Sequence, residues 1–252
     1  MARPADPHAR AALIAAARAE FQKKGLKGAR IEDITAACGL SKGAFYLHAE
    51  SKEALFGEVL GEFTSQVQLL VEHRRHASER FFAEYGPVEG EDVHEGSERY
   101  ERLLELSAEN DLRTLELMWS YRDVVHVLMR GCQGTNFESV LWAIVDREVA
   151  QVSRDFERLQ SARALRSDVP SEVIGSLIVG TYVLLAQRMS QVEHKPDLAA
   201  WSRSIHRLIR EGCVPRGPLS VAAPAAAAQP SVRRAPARTQ SSRTRSTPRS
   251  GS

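Results

Sequence analysis

The sequence predicts an all-α protein, with a small N-terminal helical domain joined by a long helix to a larger helical domain. Three observations predict it. Apolar residues recur three and four positions apart through most of the first 211 residues, the spacing of helices with one buried face. Helix start and stop residues punctuate these stripes, such as Ser41 and Ser51 before helical runs and Gly25, Gly28 and Gly39 after them. No alternating strand pattern of useful length appears.

The elements follow in order. Leu13, Ile14, Ala17 and Phe21 give a first helix over 9–24. A short helix over Ile31–Cys38 is closed by Gly39, and Ser41 opens a very short third helix through His48. Ser51 starts a long fourth helix to about Phe82, with Leu55, Phe56, Val59, Leu60, Phe63, Val67 and Leu70 as its stripe. Residues 86–97 read as an acidic loop containing Gly and Pro. Helical patterns resume at 98–109, 111–131, 136–164, 170–192 and 197–211, with Asp168, Pro170, Pro196 and Asp197 as start signals. The domains are therefore 1–55, 56–211 and a tail over 212–252. The tail is rich in Ala, Pro, Ser and Arg and nearly free of large apolar residues, a composition that predicts disorder.

Charge is distributed unevenly. Residues 1–60 carry nine Lys/Arg against seven Asp/Glu, the middle of the chain is acidic, and the tail has seven arginines and no acid. Phosphate is repelled by the acidic body and drawn to the head or tail. Cys38, Cys132 and Cys213 are far apart and unpaired in spacing, which fits neither a disulfide framework nor a zinc site. The most apolar stretch, Val173 to Ala186, is short of the roughly 20 residues of a membrane span. It reads as a buried helix, and the protein is expected to be cytoplasmic, with no membrane partner.

The informative segment runs from Ile31 to Leu55. Thr35, Ala36 and Cys38 are small enough for two helices to cross. Gly39 tolerates positive φ in a turn, and Leu40 plugs the core just after it. This is the pattern of a helix-turn-helix, whose second helix lies in the major groove with its N-terminal residues toward the bases. Ser41, Lys42, Gly43 and Ala44 occupy that end.

These residues resemble the TetR family of bacterial one-component regulators. The resemblance rests on Asp33-Ile34, Gly39-Leu40-Ser41-Lys42-Gly43, Phe45-Tyr46, His48 and Ser51-Lys52-Glu53-Ala54-Leu55, and covers residues 10–60. It implies that Tyr46, His48 and Lys52 contact phosphates and that Lys42 and its neighbours reach bases. Arg30, Thr35, Ser41, Gly43 and Ala44 complete the candidate DNA contacts. Four departures stand out. Ala44 replaces the usual Thr, Ala49 replaces an aromatic, Glu50 brings a negative charge near DNA, and Ala29 and Arg30 stand where Thr or Ser usually caps the second helix.

For the larger domain the resemblance implies a small-molecule effector pocket and a homodimer. Met118, Trp119, Arg122, His126, Met129, Phe137, Trp142 and Tyr182 are candidate pocket residues, and plain core is the alternative for each. Ile174, Ile178, Leu185 and Met189 on one apolar helix, with Trp201, Ile205 and Leu208 on the next, are candidate interface residues, and cover of the monomer core is the alternative. Gly175, Gly180 and Ala186 allow close approach there. The expected partners are a palindromic double-stranded operator, a small effector and a second copy of the chain.

No phosphate loop, nucleophile elbow or metal-ligand set is present beyond His73 and His76, which sit on a charged helix face. No enzyme activity, metal or cofactor is expected. The leading reading is a sequence-specific transcriptional regulator, expected to be a repressor released by a small-molecule effector. Two others stay open: an architectural DNA-binding protein acting through the basic tail, and a ligand- or partner-binding module with weak or no sequence-specific DNA binding.

Overall fold

A computed structural model describes residues 7–214, and all regular structure among them is helical. Ten helices follow in chain order: α1 (Pro7–Gly28), α2 (Ile31–Ala37), α3 (Lys42–Phe45), α4 (Lys52–Tyr85), α5 (Gly90–Glu95), α6 (Glu98–Ser120), α7 (Arg122–Arg130), α8 (Val140–Ser161), α9 (Ser171–Met189) and α10 (Leu198–Cys213). The reading of the tail lies outside the described residues, except that α10 continues two residues past 211.

Local chemistry explains the boundaries. Gly25 has φ 70 and ends the regular part of α1. Ser41 and Ser51 cap α3 and α4 by accepting from the Ala44 and Ala54 amides at 3.1 and 3.0 Å, which satisfies donors a helix start leaves open. Arg30 precedes α2 without any side-chain cap, as the missing Ser or Thr predicts.

Three expectations need correction. The acidic stretch 86–97 is not all loop. It holds α5, where the Asp92 carboxylate accepts from the Glu89 amide at 2.9 Å and from the Ser97 hydroxyl at 2.7 Å. The helices expected at 98–109 and 111–131 break at Tyr121 instead of Asn110. Asn110 stays helical while its carbonyl takes the Thr114 hydroxyl at 2.9 Å. The break is fixed by Arg18, which donates to Ser120 O at 2.9 Å and to both oxygens of Asp123 at 2.6 and 2.7 Å. Finally, α8 starts at Val140, because 134–139 form a turn with Gly134 at φ 67.

The core is continuous from head to body. Leu13, Phe21, Ile34 and Phe45 of the head join Phe56 and Phe63 of α4 and Val124 and Leu128 of α7 in one buried cluster. A second cluster joins α6, α9 and α10 through Leu115, Tyr182, Met189 and Leu198. By length and mean hydropathy (1.2) α9 would pass for a membrane span. One of its faces is nevertheless buried in the bundle through Ile174, Gly175, Val179, Tyr182, Ala186 and Met189.

Candidate DNA interface and effector cavity

The head assembles the expected motif. Gly39 takes φ 70 in the turn between α2 and α3, and the Leu40 amide donates to Thr35 O at 2.9 Å. Ile34 and Phe45 are fully buried and hold the two helices together. This leaves Ser41, Lys42, Gly43, Tyr46 and Leu47 exposed along one edge, with Arg30 and Glu50 also exposed. Ala44 and His48 are half-buried.

Several candidate side chains already have partners. Lys42 Nζ lies 2.6 Å from Glu32 Oε1, which holds the ammonium charged and the Glu32 carboxyl below its usual range. Lys52 donates to the carbonyls of Ala29 at 2.8 Å and Lys27 at 3.0 Å, so two of its three donors close the end of α1. His48 accepts from Arg10 through its carbonyl at 3.1 Å, while its Nδ1 is buried without a hydrogen-bond partner among the described residues. Thr35 is a correction. It is 3% exposed and its hydroxyl donates within α2, 3.0 Å from Ile31 O and 3.1 Å from Glu32 O. It serves helix crossing and is withdrawn as a DNA contact.

The body holds a small, partly open cavity of about 80 Å³ between α4, α6, α7, α8 and α9. Among the expected pocket residues, Met118 and Tyr182 line it. The other six do not. Arg122 lies over the Trp119 ring, 3.8 Å from its centroid, and donates to Trp119 O at 2.7 Å. His126 faces Gln187 and Ser190 through Nδ1 at 3.1 and 3.2 Å, at the seam with the head. Met129 packs against the main core, Phe137 meets Phe56 edge to face at 5.2 Å, and Trp142 is 56% exposed. The neighbour Leu141 points inward instead.

Residues 13–59 match the model of the bacterial regulatory proteins, tetR family. The N-terminal domain belongs to the TetR family. The matched residues contain the whole helix-turn-helix and the first turns of α4. The chain is 52% identical over 48 residues to the HTH-type transcriptional repressor DhaR of Mycobacterium sp. (strain GP1), covering 19% of this chain and 24% of that protein. It is 38% identical over 60 residues to the uncharacterized HTH-type transcriptional regulator YdgC of Bacillus subtilis (strain 168), covering 24% and 31%. The matches thus span about a quarter to a third of these relatives. The fold extends the likeness. The ketosteroid transcriptional regulator KstR2 of Mycobacterium tuberculosis superposes with a TM-score of 0.62 at 16% identity, over 85% of this chain and 100% of that one. A TetR-like transcriptional regulator from Rhodococcus sp. RHA1 gives 0.54 at 19% identity, over 83% and 98%.

The expected interface between copies is corrected in part. Ile174 and Met189 are 4% and 0% exposed within one chain, so they are core. Ile178 lines the cavity, and Leu185, Trp201 and Ile205 pack between α6, α9 and α10. Gly175 permits a close crossing inside the chain: an added Cβ would lie 2.6 Å from Ser153 Oγ of α8. Leu208 is exposed, and with it Val173, Leu177 and Leu184 on the outer face of α9. The sequence reading counted Val173 and Leu177 among the apolar residues of this helix without choosing them as interface candidates, and it missed Leu184 and Leu47, the latter 71% exposed beside Tyr46. It also gave no weight to Glu32 as the partner of Lys42. Their charges lie ten residues apart across a turn, beyond the helical spacing that flags such pairs. His76 Nδ1 lies 3.4 Å from Glu79 Oε2 on an exposed stretch of α4, a solvated surface contact.

Proposed function

We infer that the protein is a sequence-specific DNA-binding transcriptional regulator, a repressor that leaves its operator when a small effector enters the cavity. The observation that carries this reading is the continuity of α7 between cavity and head. Val125 of α7 lines the cavity. Two residues earlier Asp123 grips Arg18 of α1, and the residue ending the helix, Gly131, accepts from the Leu26 amide at 2.9 Å. A ligand that displaces α7 therefore displaces the helix on which the reading head is mounted. Such a ligand shifts the equilibrium only by its differential affinity for the two arrangements.

In this reading Ser41, Lys42 and Gly43 meet base edges, while Arg30, Tyr46, His48 and Lys52 position the head on phosphates. Two copies pair through the outer faces of α9 and α10, which places two heads on a palindrome with half-sites about 34–36 Å apart. The protein acts in the cytoplasm, where its operator is. Selection of binding sites from fragmented genomic DNA with the full-length protein tests this. A palindromic motif is the expected result. Uniform recovery of all fragments would instead support an architectural protein, and no recovery would support a module that has lost DNA reading.

A further inference from the structure

The chemistry of the cavity wall narrows what it takes. Fourteen of its 18 lining residues are apolar, and nearly all of these are aliphatic: seven are valine, joined by Leu70, Leu117, Leu141, Ile144 and Ile178. Phe63 and Tyr182 supply the aromatic rings, short of the aromatic cage that holds a quaternary ammonium ion.

The four polar lining groups are already satisfied. Arg74 donates to Glu148 at 3.0 Å, an ion pair of which the side chains are 30% and 15% exposed. Tyr182 donates its hydroxyl to Asp111 at 2.5 Å, and burial with that carboxylate holds the phenol protonated far above its usual range. Thr114 donates to Asn110 O at 2.9 Å. None of the buried polar atoms that lack a partner among the described residues belongs to the lining. A charged ligand would have to be buried against a wall with no uncompensated opposite charge, or would have to break the Arg74–Glu148 pair. Both are costly. The hydroxyls of Tyr182 and Thr114 have spent their protons but keep acceptor lone pairs, so the polar contact still available is to a ligand donor.

We propose that the effector is an uncharged aliphatic molecule carrying a hydroxyl group, its hydrocarbon held by the valine-rich wall and its hydroxyl donating to Tyr182 or Thr114. This rests on the effector reading of the cavity given above. The cavity excludes carboxylates and quaternary ammonium ions of the same hydrocarbon, because no lining group repays their desolvation.

The test uses full-length protein and three decyl probes: decanol, decanoate and decyltrimethylammonium. Binding is measured by calorimetry and operator release by fluorescence anisotropy. Two cavity-filling variants, Val183→Phe and Val152→Phe, guard against one failing to fold. Decanol is expected to bind about tenfold or more tighter than either charged probe, to release the operator, and to lose binding in the filled variants. A charged probe that binds as well as decanol and is lost in the filled variants would overturn the neutral class while leaving the cavity as effector site. No decanol binding would also overturn the class. Decanol binding that survives filling, or that never releases the operator, would overturn the effector reading itself.

Discussion

Gly25 and Gly131 meet backbone to backbone. The Leu26 amide donates to Gly131 O at 2.9 Å, and a Cβ on Gly131 would sit 3.0 Å from Gly25 Cα and 3.2 Å from Val127 O. The atoms in the way are main chain, which does not swing aside like a side chain. Gly25 also has φ 70, where an L side chain is strained. The head is thus seated on α7 at a point where a larger residue would press on main-chain atoms.

Gly131→Ala is expected to destabilise the protein by about 1–3 kcal/mol through overpacking, lowering the melting temperature by several degrees, roughly 2–4 °C per kcal/mol. In the proposed mechanism it also shifts operator affinity or effector release, because the head is re-seated. Thermal melts paired with operator titrations check this. A variant with wild-type stability would show that the contact yields freely.

Lys42 should determine specificity. Lys42→Ala is expected to weaken binding to the cognate site by about tenfold to a hundredfold and to relax preference at one position per half-site. Tyr46→Phe should weaken all sequences about equally. Glu32→Gln frees the Lys42 ammonium from its partner, and its expected result is tighter binding to DNA of any sequence with a steeper salt dependence. Competition titrations on single-base operator variants at several salt concentrations separate these outcomes. If Lys42→Ala binds every variant as wild type does, it is not a reader.

The legible parts of the molecule are those where local chemistry decides. Gly39, Leu40 and the caps Ser41 and Ser51 specify the helix-turn-helix within a single stretch of chain. The cavity draws on five helices, and its lining depends on which way each one is rotated. On α8 a signal existed. Leu141, Ile144, Val145, Glu148 and Val152 recur at helical spacing and all line the cavity, so register alone would have preferred Leu141 to Trp142. On α9 no such signal existed. Apolar residues surround the helix, so periodicity could not tell the buried Ile174 and Met189 from the exposed Leu177 and Leu184. Asn110 misled for another reason: its weak helix propensity was outweighed by packing of α6 in the body.

The outer face of α9 is the expected contact between copies. Leu177→Glu and Leu184→Glu, at sites 66% and 61% exposed, should leave the chain folded but monomeric, with operator affinity lost because two half-sites are no longer read together. Charge at Ile174 or Met189 should instead unfold the chain, since an ion buried there finds no partner. Light scattering and circular dichroism distinguish these results. A Leu177→Glu protein that remains dimeric would place the interface elsewhere.

His126 is expected to make the seam between head and body sensitive to pH. Its Nδ1 faces Gln187 at 3.1 Å and Ser190 at 3.2 Å, and Ser190 O accepts from Gln22 of α1 at 3.0 Å. Burial, and then the nearby Arg130 charge, push its pKa below the ordinary value of 6.5. Other charges around it act less: Asp123 raises the pKa slightly, and so does the hydrogen bond with Gln187. In the unfolded chain His126 takes a proton near pH 6.5, while in the folded protein it resists until lower pH. The folded state therefore keeps its full stability above 6.5 and loses it progressively as pH falls toward the depressed folded value. His126→Gln should be less sensitive to pH between about 6.5 and 5, before carboxylates such as Asp33 and Asp92, themselves held low by their partners, begin to titrate. Denaturation midpoints for both proteins across that range give the comparison. Parallel curves would mean that His126 carries no pH-dependent stability, and that the Gln22–Ser190 contact holds whatever its charge.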